Sequence, residues 1–188
     1  MQRRMLLNAM AGSAAAAFVP QLMAQSAQPA KPAQPRPAVE VWKDPNCGCC
    51  QDWVVHLQAN GFNVKVHNTG NTAARTRLGI PAALGSCHTA QVAGYALEGH
   101  VPAADIWRLL KEKPRAKGLA VPGMPVGSPG MDSPLYGGRR DAYEVLLVLQ
   151  DGNTRVFNAY AAIASNKPNS PNLSNPSNPS NASKKETS

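Results

Sequence analysis

Three of the four cysteines in this chain fall within four residues, Cys47-Gly48-Cys49-Cys50, at the join between two predicted elements. That placement constrains the fold more than any other feature. Val39-Glu40-Val41-Trp42 is β-rich and alternating, and predicts a strand. Asp44-Pro45-Asn46 then turns the chain. From Gly48 to Ala59 the apolar residues Cys50, Trp53, Val54 and Leu57 recur at i, i+3, i+4 and i+7, which predicts a helix stopping at Asn60-Gly61. Cys47 and Cys50 thus form a C-x-x-C between a strand and a helix.

The elements that follow agree with this start. Phe62 to Val66 predicts a second strand, with Phe62, Val64 and Val66 alternating. Thr72 to Leu78 predicts a short helix closed by Gly79. Thr89 to Leu97 predicts one or two strands interrupted by Gly94, and Pro102 to Lys111 a helix with Ile106, Leu109 and Leu110 inward. Residues 118–140 are dense in glycine and proline and predict a long ordered loop or flap. Tyr143 to Leu149 and Thr154 to Phe157 flank Asp151-Gly152-Asn153, a hairpin signal, and Val145 to Leu149 is apolar on both faces, as in a central strand. This order predicts an α/β, thioredoxin-like domain over 38–163, with a long Gly/Pro/Met loop and a C-terminal β-hairpin.

The ends have a different character. Residues 1–24 read as an export signal: a basic start with Arg3 and Arg4, an alanine-rich apolar stretch, and Ala24 before a cleavage point. The stretch is too short and alanine-rich for a membrane span, which needs roughly 20 strongly apolar residues. The mature chain is expected to be periplasmic, without a span, exported by the general or the twin-arginine route. Residues 25–37 read as a linker and 164–188, rich in Asn, Ser and Pro, as a disordered tail. The formal charge is +8, or +6 without Arg3 and Arg4. The basic residues are scattered and aromatics are 5% of the chain, which argues against nucleic-acid binding.

The chemistry centres on the thiols. A cysteine at a helix N-terminus has its thiolate favoured by the first-turn amides and the macrodipole. Thiolate serves both disulfide exchange and soft-metal binding. Cys49 adds a third thiol that a dithiol oxidoreductase does not need, and the chain entering the third strand brings Cys87 beside the cluster. In the Gly/Pro-rich loop, Met124 and Met131 add two thioethers, which could serve a soft metal or pack the flap against the domain. Thiolate and thioether together select Cu(I) over harder ions.

Four motifs, in order, resemble the CopG-like periplasmic copper-resistance proteins, a thioredoxin-like family. They are Cys47-Gly48-Cys49-Cys50, Gly85-Ser86-Cys87-His88-Thr89-Ala90, Glu98-Gly99-His100-Val101-Pro102, and Gly118 to Met131, and the likeness spans about 38–160. Ser133 to Gly138 departs from the pattern. The Cys47-x-Cys49 sulfurs can both reach one ion or a small multinuclear cluster; the resemblance implies copper handling in the periplasm, with thiolate-bound copper and Cu(I)/Cu(II) redox chemistry. It implies metal ligands among Cys47, Cys49, Cys50, Cys87, Met124, Met131, His88 and His100. Copper ions, and a periplasmic copper-handling or redox partner, are the partners it implies.

Other readings stand beside this one. The cluster could be a structural disulfide with spare thiols, a four-thiolate zinc site, a thiol–disulfide oxidoreductase in which Cys47 attacks and Cys50 resolves, or a chaperone that passes copper on. No sequence feature establishes turnover. Neighbours in a strand face opposite ways, so Cys87 and His88 reach one metal only from an irregular backbone. His56 is expected to be solvated surface, His67 structural, and Trp53 and Trp107 core.

Overall fold

The computed structural model describes residues 36–165. The expected signal (1–24), nearly all of the linker and the tail from 166 onward lie outside the described residues. The first strand, β1, spans Ala38–Lys43 and leads through an Asx turn, in which the Asn46 N–H donates to Asp44 Oδ1 at 2.8 Å, into helix α1, Gly48–Ala59. Strand β2, Asn63–His67, returns parallel to β1. Helix α2, Thr72–Arg77, and a 3₁₀ turn, Ala82–Leu84, lead to β3, His88–Val92, antiparallel to β1, and β4, Tyr95–Glu98. Helix α3, Ala103–Glu112, precedes β5, Gly118–Ala120. The hairpin of β6, Tyr143–Val148, and β7, Thr154–Tyr160, completes a mixed α/β architecture. Among the described residues its seven strands run in the order β2-β1-β3-β4-β5-β6-β7.

Both faces of the sheet are covered. On one, Val39 and Val41 of β1 meet Trp53, Val54 and Leu57 of α1 and Ile106 and Leu109 of α3, all buried. Consecutive strand residues point to opposite faces. Thus Leu97, Leu119 and Leu147 join that core, while Ala96, Ala120 and Val148 form a smaller cluster on the other face with Ile80, beneath Leu78 and Leu84. The stripe predicted from Cys50 to Leu57 is the buried face of α1.

Two expectations need correction. Residues 118–140 are not loop throughout, because Gly118-Leu119-Ala120 pairs in parallel with β4 and antiparallel with β6. Three residues are too few to show an alternating pattern, and Gly118 masks the start. Trp107 is not core: it is 42% exposed and packs its ring, tilted, against Phe62 while its Nε1–H donates to Asn60 O at 3.0 Å. The apolar run of β6 is paired on both sides, as expected, although it is sixth of seven strands. Among the described residues no helix is long and apolar enough to cross a membrane.

Candidate metal centre

Three segments meet at the head of α1. The first is the turn from β1. Lys43 is buried, and its Nζ donates to Asp44 O at 2.9 Å, pinning the backbone that delivers Cys47 to the helix cap. Cys49 and Cys50 occupy the first turn of α1. Cys47 and Cys50 are joined as a disulfide, leaving Cys49 and Cys87 as free thiols. Cys49 Sγ lies 3.5 Å from Cys47 Sγ and 3.9 Å from Cys87 Sγ. Cys50 Sγ sits 3.6 Å from Cys87 O, a packing contact, since a disulfide sulfur has no hydrogen to donate.

The second segment carries Cys87 and His88. Cys87 sits in a bend just ahead of β3, and this supplies the irregular backbone that lets it and His88 face the same space. His88 Nδ1 is 3.4 Å from Cys87 Sγ. The His88 ring is fully buried, tilted against Trp53 at 4.3 Å between centroids, and its Nε2 is sealed in without a well-formed hydrogen bond. Burial, reinforced by neighbouring His100, holds its pKa well below the ordinary histidine value.

The third segment is the loop after β5 together with the residues after β4. His100 is fully buried; its Nδ1 is 2.8 Å from Pro129 O and its Nε2 is 3.1 Å from Cys87 Sγ. A carbonyl only accepts, so Nδ1 carries the proton and Nε2 offers its lone pair toward the thiols. An imidazole anchored in this way through its other nitrogen is in the usual state of a metal-ligating histidine. Burial lowers its pKa, against the opposing effects of the Pro129 carbonyl and Asp132. The same burial, with Cys49 adjacent, pushes the Cys87 thiol up to about 12, so a metal arriving at neutral pH must displace its proton.

The ligand atoms of Cys47, Cys49, Cys50 and Cys87 all lie within 4.8 Å of one another, and so do those of Cys87, His88 and His100. The two sets share Cys87. Gly130 docks the loop on this centre: at φ +83°, a Cβ there would lie 2.5 Å from Cys49 O and 2.8 Å from Trp53 N, so only glycine allows the approach. Met131 follows directly and is half-buried. Met124 is 52% exposed, next to Gly123, whose carbonyl accepts from Ser86 Oγ at 2.5 Å. Met124 also lines an open cleft of about 600 Å³ with Asp141, Tyr143 and Glu144.

Comparison with known proteins decides the family. The solved structure described as copper resistance protein copG, form 1, is 49% identical to this chain, covers 68% of it and 99% of its own length, and superposes with a TM-score of 0.63. The chain belongs to the CopG copper-resistance protein family. Form 2 of the same protein gives 48% identity, 66% and 98% coverage, and a TM-score of 0.62. Residues 84–131, which hold Cys87, His88, His100, Met124 and Met131, match the family described as a protein of unknown function, DUF411. No curated protein matches.

Sequence reasoning placed His56 at the surface, and the structure corrects this. His56 is half-buried, and its Nε2 accepts the Ala103 N–H at 3.1 Å, capping the first turn of α3. The helical wheel shows only α1; the partner donor belongs to a helix some 47 residues on. Burial lowers its pKa, opposed by Asp132.

Three imidazoles held below 6.5, the buried His88 and His100 and the half-buried His56, make stability depend on pH. The unfolded chain binds protons that the folded chain refuses, so stability is complete above about pH 6.5 and falls as pH drops through and below it. The metal-free protein should therefore show denaturation midpoints that decline between about pH 7 and about pH 5, each unit of pKa depression contributing roughly 1.4 kcal/mol. His56→Gln should remove part of that slope. A midpoint flat across this window would contradict the neutral, buried state of these rings.

Proposed function

We propose that this chain is a periplasmic copper-binding protein that takes up Cu(I) through Cys47, Cys49, Cys50 and Cys87 and so limits copper toxicity. The carrying observation is the convergence of four sulfurs, one of which, Cys87 Sγ, lies 3.1 Å from a histidine nitrogen whose ring is already anchored. Soft thiolates and an imidazole, closed in by a Met-bearing loop, suit Cu(I) better than a hard cation. Four sulfurs this close have room to bridge more than one ion. His100 joins them, His88 backs them, and the loop that Gly130 seats against Cys49 carries Met131 beside the centre, with Met124 as a further thioether of the same loop.

Binding begins from the reduced chain. Two electrons and two protons convert the Cys47–Cys50 disulfide to two thiols, and loading releases thiol protons as thiolates form on the metal. Cu(I)/Cu(II) interconversion belongs to the same reading, with a periplasmic redox or copper-handling protein as electron or copper partner. The order β2-β1-β3-β4, with a cysteine pair heading α1, supports a thioredoxin-like core that β5, β6 and β7 extend. Residues 1–24 act as the export signal in this account.

A second reading is favoured by the bonded Cys47–Cys50 pair at a helix head: thiol–disulfide exchange. Anaerobic reduction, Cu(I) loading and removal of loose metal separate the two. More than one tightly held copper per chain is expected. Negligible retained copper, with a dithiol that reversibly reduces a model disulfide, would favour the exchange reading instead.

A further inference from the structure

A fully buried carboxylate lies behind the centre, on the α2 face of the sheet. Glu98 closes β4, two residues before His100, and is 0% exposed. Its Oε1 accepts Arg75 Nε at 2.9 Å, Arg75 Nη2 at 2.7 Å and the Ser86 backbone N–H at 2.7 Å. Its Oε2 accepts the Thr89 hydroxyl at 2.6 Å. Arg75 Nη2 also donates to Ser86 O at 2.5 Å, which Asn71 Nδ2 reaches at 3.1 Å. Both backbone groups of Ser86 are therefore gripped by one ion pair, its carboxylate fully buried and its guanidinium largely so, and the next residue is Cys87.

Arg75, Glu98, Thr89 and Asn71 bond Ser86 and one another rather than the sulfurs; only the Ser86 hydroxyl reaches a thiol, 3.9 Å from Cys87 Sγ. His88 and Thr89 are neighbours in β3, so His88 points toward α1 and the thiols while Thr89 points to Glu98 on the opposite face. A buried ion pair contributes little net stability but is very costly to break from one side. Such a pair is best understood as a device that fixes one geometry. Here it fixes the bend carrying Cys87 and, through the two-residue step from Glu98, the start of the segment carrying His100.

We propose that Arg75 and Glu98 are positioning residues for the metal centre, holding Cys87 at its 3.1 Å separation from His100 from the far side of the sheet. This rests on the copper reading for its consequence, but not for its geometry. Neighbours that orient metal ligands typically change affinity ten- to a hundredfold when altered.

The test uses the full chain, reduced and kept anaerobic, as wild type, Glu98→Gln and Arg75→Lys. Glutamine keeps the shape and removes the charge. Lysine keeps the charge and loses the forked grip on Glu98 and Ser86 O together. In the metal-free protein, pulsed alkylation read cysteine by cysteine should show Cys87 reacting about tenfold faster in both variants, with Cys49 unchanged. With Cu(I) added, competition against a chromophoric chelator should show affinity lower by about ten- to a hundredfold.

Equal acceleration of all four cysteines would mark general loosening and overturn the proposal. So would wild-type rates and affinity in a folded variant. If Glu98→Gln fails to fold, Arg75→Lys decides by the same two readouts. Wild-type protein that binds no Cu(I) defeats the copper reading alone, and the Cys87 alkylation rate still judges the positioning role.

Discussion

Cys49→Ser should lose most of the bound Cu(I) while leaving the Cys47–Cys50 pair able to form and break its disulfide. Cys49 Sγ is the sulfur between the two halves of the centre, 3.5 Å from Cys47 and 3.9 Å from Cys87. A serine oxygen there is a hard donor and a poor bridge for a soft ion. Retained copper should fall at least severalfold, with affinity reduced by about a hundredfold or more. The dithiol itself keeps its place at the N-terminus of α1 and its exchange chemistry. Unchanged copper stoichiometry and affinity in Cys49→Ser would remove the sulfur cluster from the account. Loss of both properties together would mean that the substitution disturbs the helix head rather than the ligand set.

Trp53→Ala should be the most destabilising single change in the described core. Trp53 is fully buried, its Nε1–H donates to Val101 O at 2.9 Å, and its ring lies against His88. Truncating a buried tryptophan costs about 3–5 kcal/mol from lost burial and the cavity left behind. Here a buried carbonyl also loses its donor, which adds about 1–3 kcal/mol if it finds no water. Against typical stabilities of about 5–15 kcal/mol, the metal-free variant should be largely unfolded or close to it. Denaturant unfolding measures the effect as a lower midpoint at an unchanged slope. Trp53→Phe should lose less, because the ring volume against His88 is mostly kept. A shift under about 1 kcal/mol for Trp53→Ala would contradict the packing described.

Trp53 also shows why part of this molecule was legible in the sequence. Its place on the stripe Cys50, Trp53, Val54 and Leu57 follows from a period of 3.6, and the structure buries all four. The strand before it and the hairpin after it follow from equally local patterns, whereas the meeting of Cys49 with Cys87, 38 residues on, follows only from the order of elements in the expected fold. Trp107 stands beside the inward Ile106, and the apolar pattern predicts core there; its angular position on α3 leaves it half exposed. β5 is only three residues long and is defined by partners on both sides, so it has no signature of its own.

The surroundings of the centre were less legible than its donors. Residue types identify a thiol or a thioether, but not what holds it. The His56 contact with Ala103, the grip of Arg75 and Glu98 on Ser86, and the Pro129 carbonyl that sets the His100 tautomer each join residues 11 to 47 positions apart. Such pairs depend on how the sheet stacks, and no window of sequence contains them. The irregular backbone required for Cys87 and His88 to share a space could be stated as a condition beforehand; the bend at Cys87 fulfils it.

The most direct test of the central claim is alkylation of the reduced chain before and after anaerobic Cu(I) loading, read as intact mass. Without copper, all four cysteines should be modified under denaturing conditions, and after loading the folded chain should take up almost no label at Cys47, Cys49, Cys50 or Cys87. Full labelling of all four in the presence of bound copper would place the metal elsewhere and contradict the account.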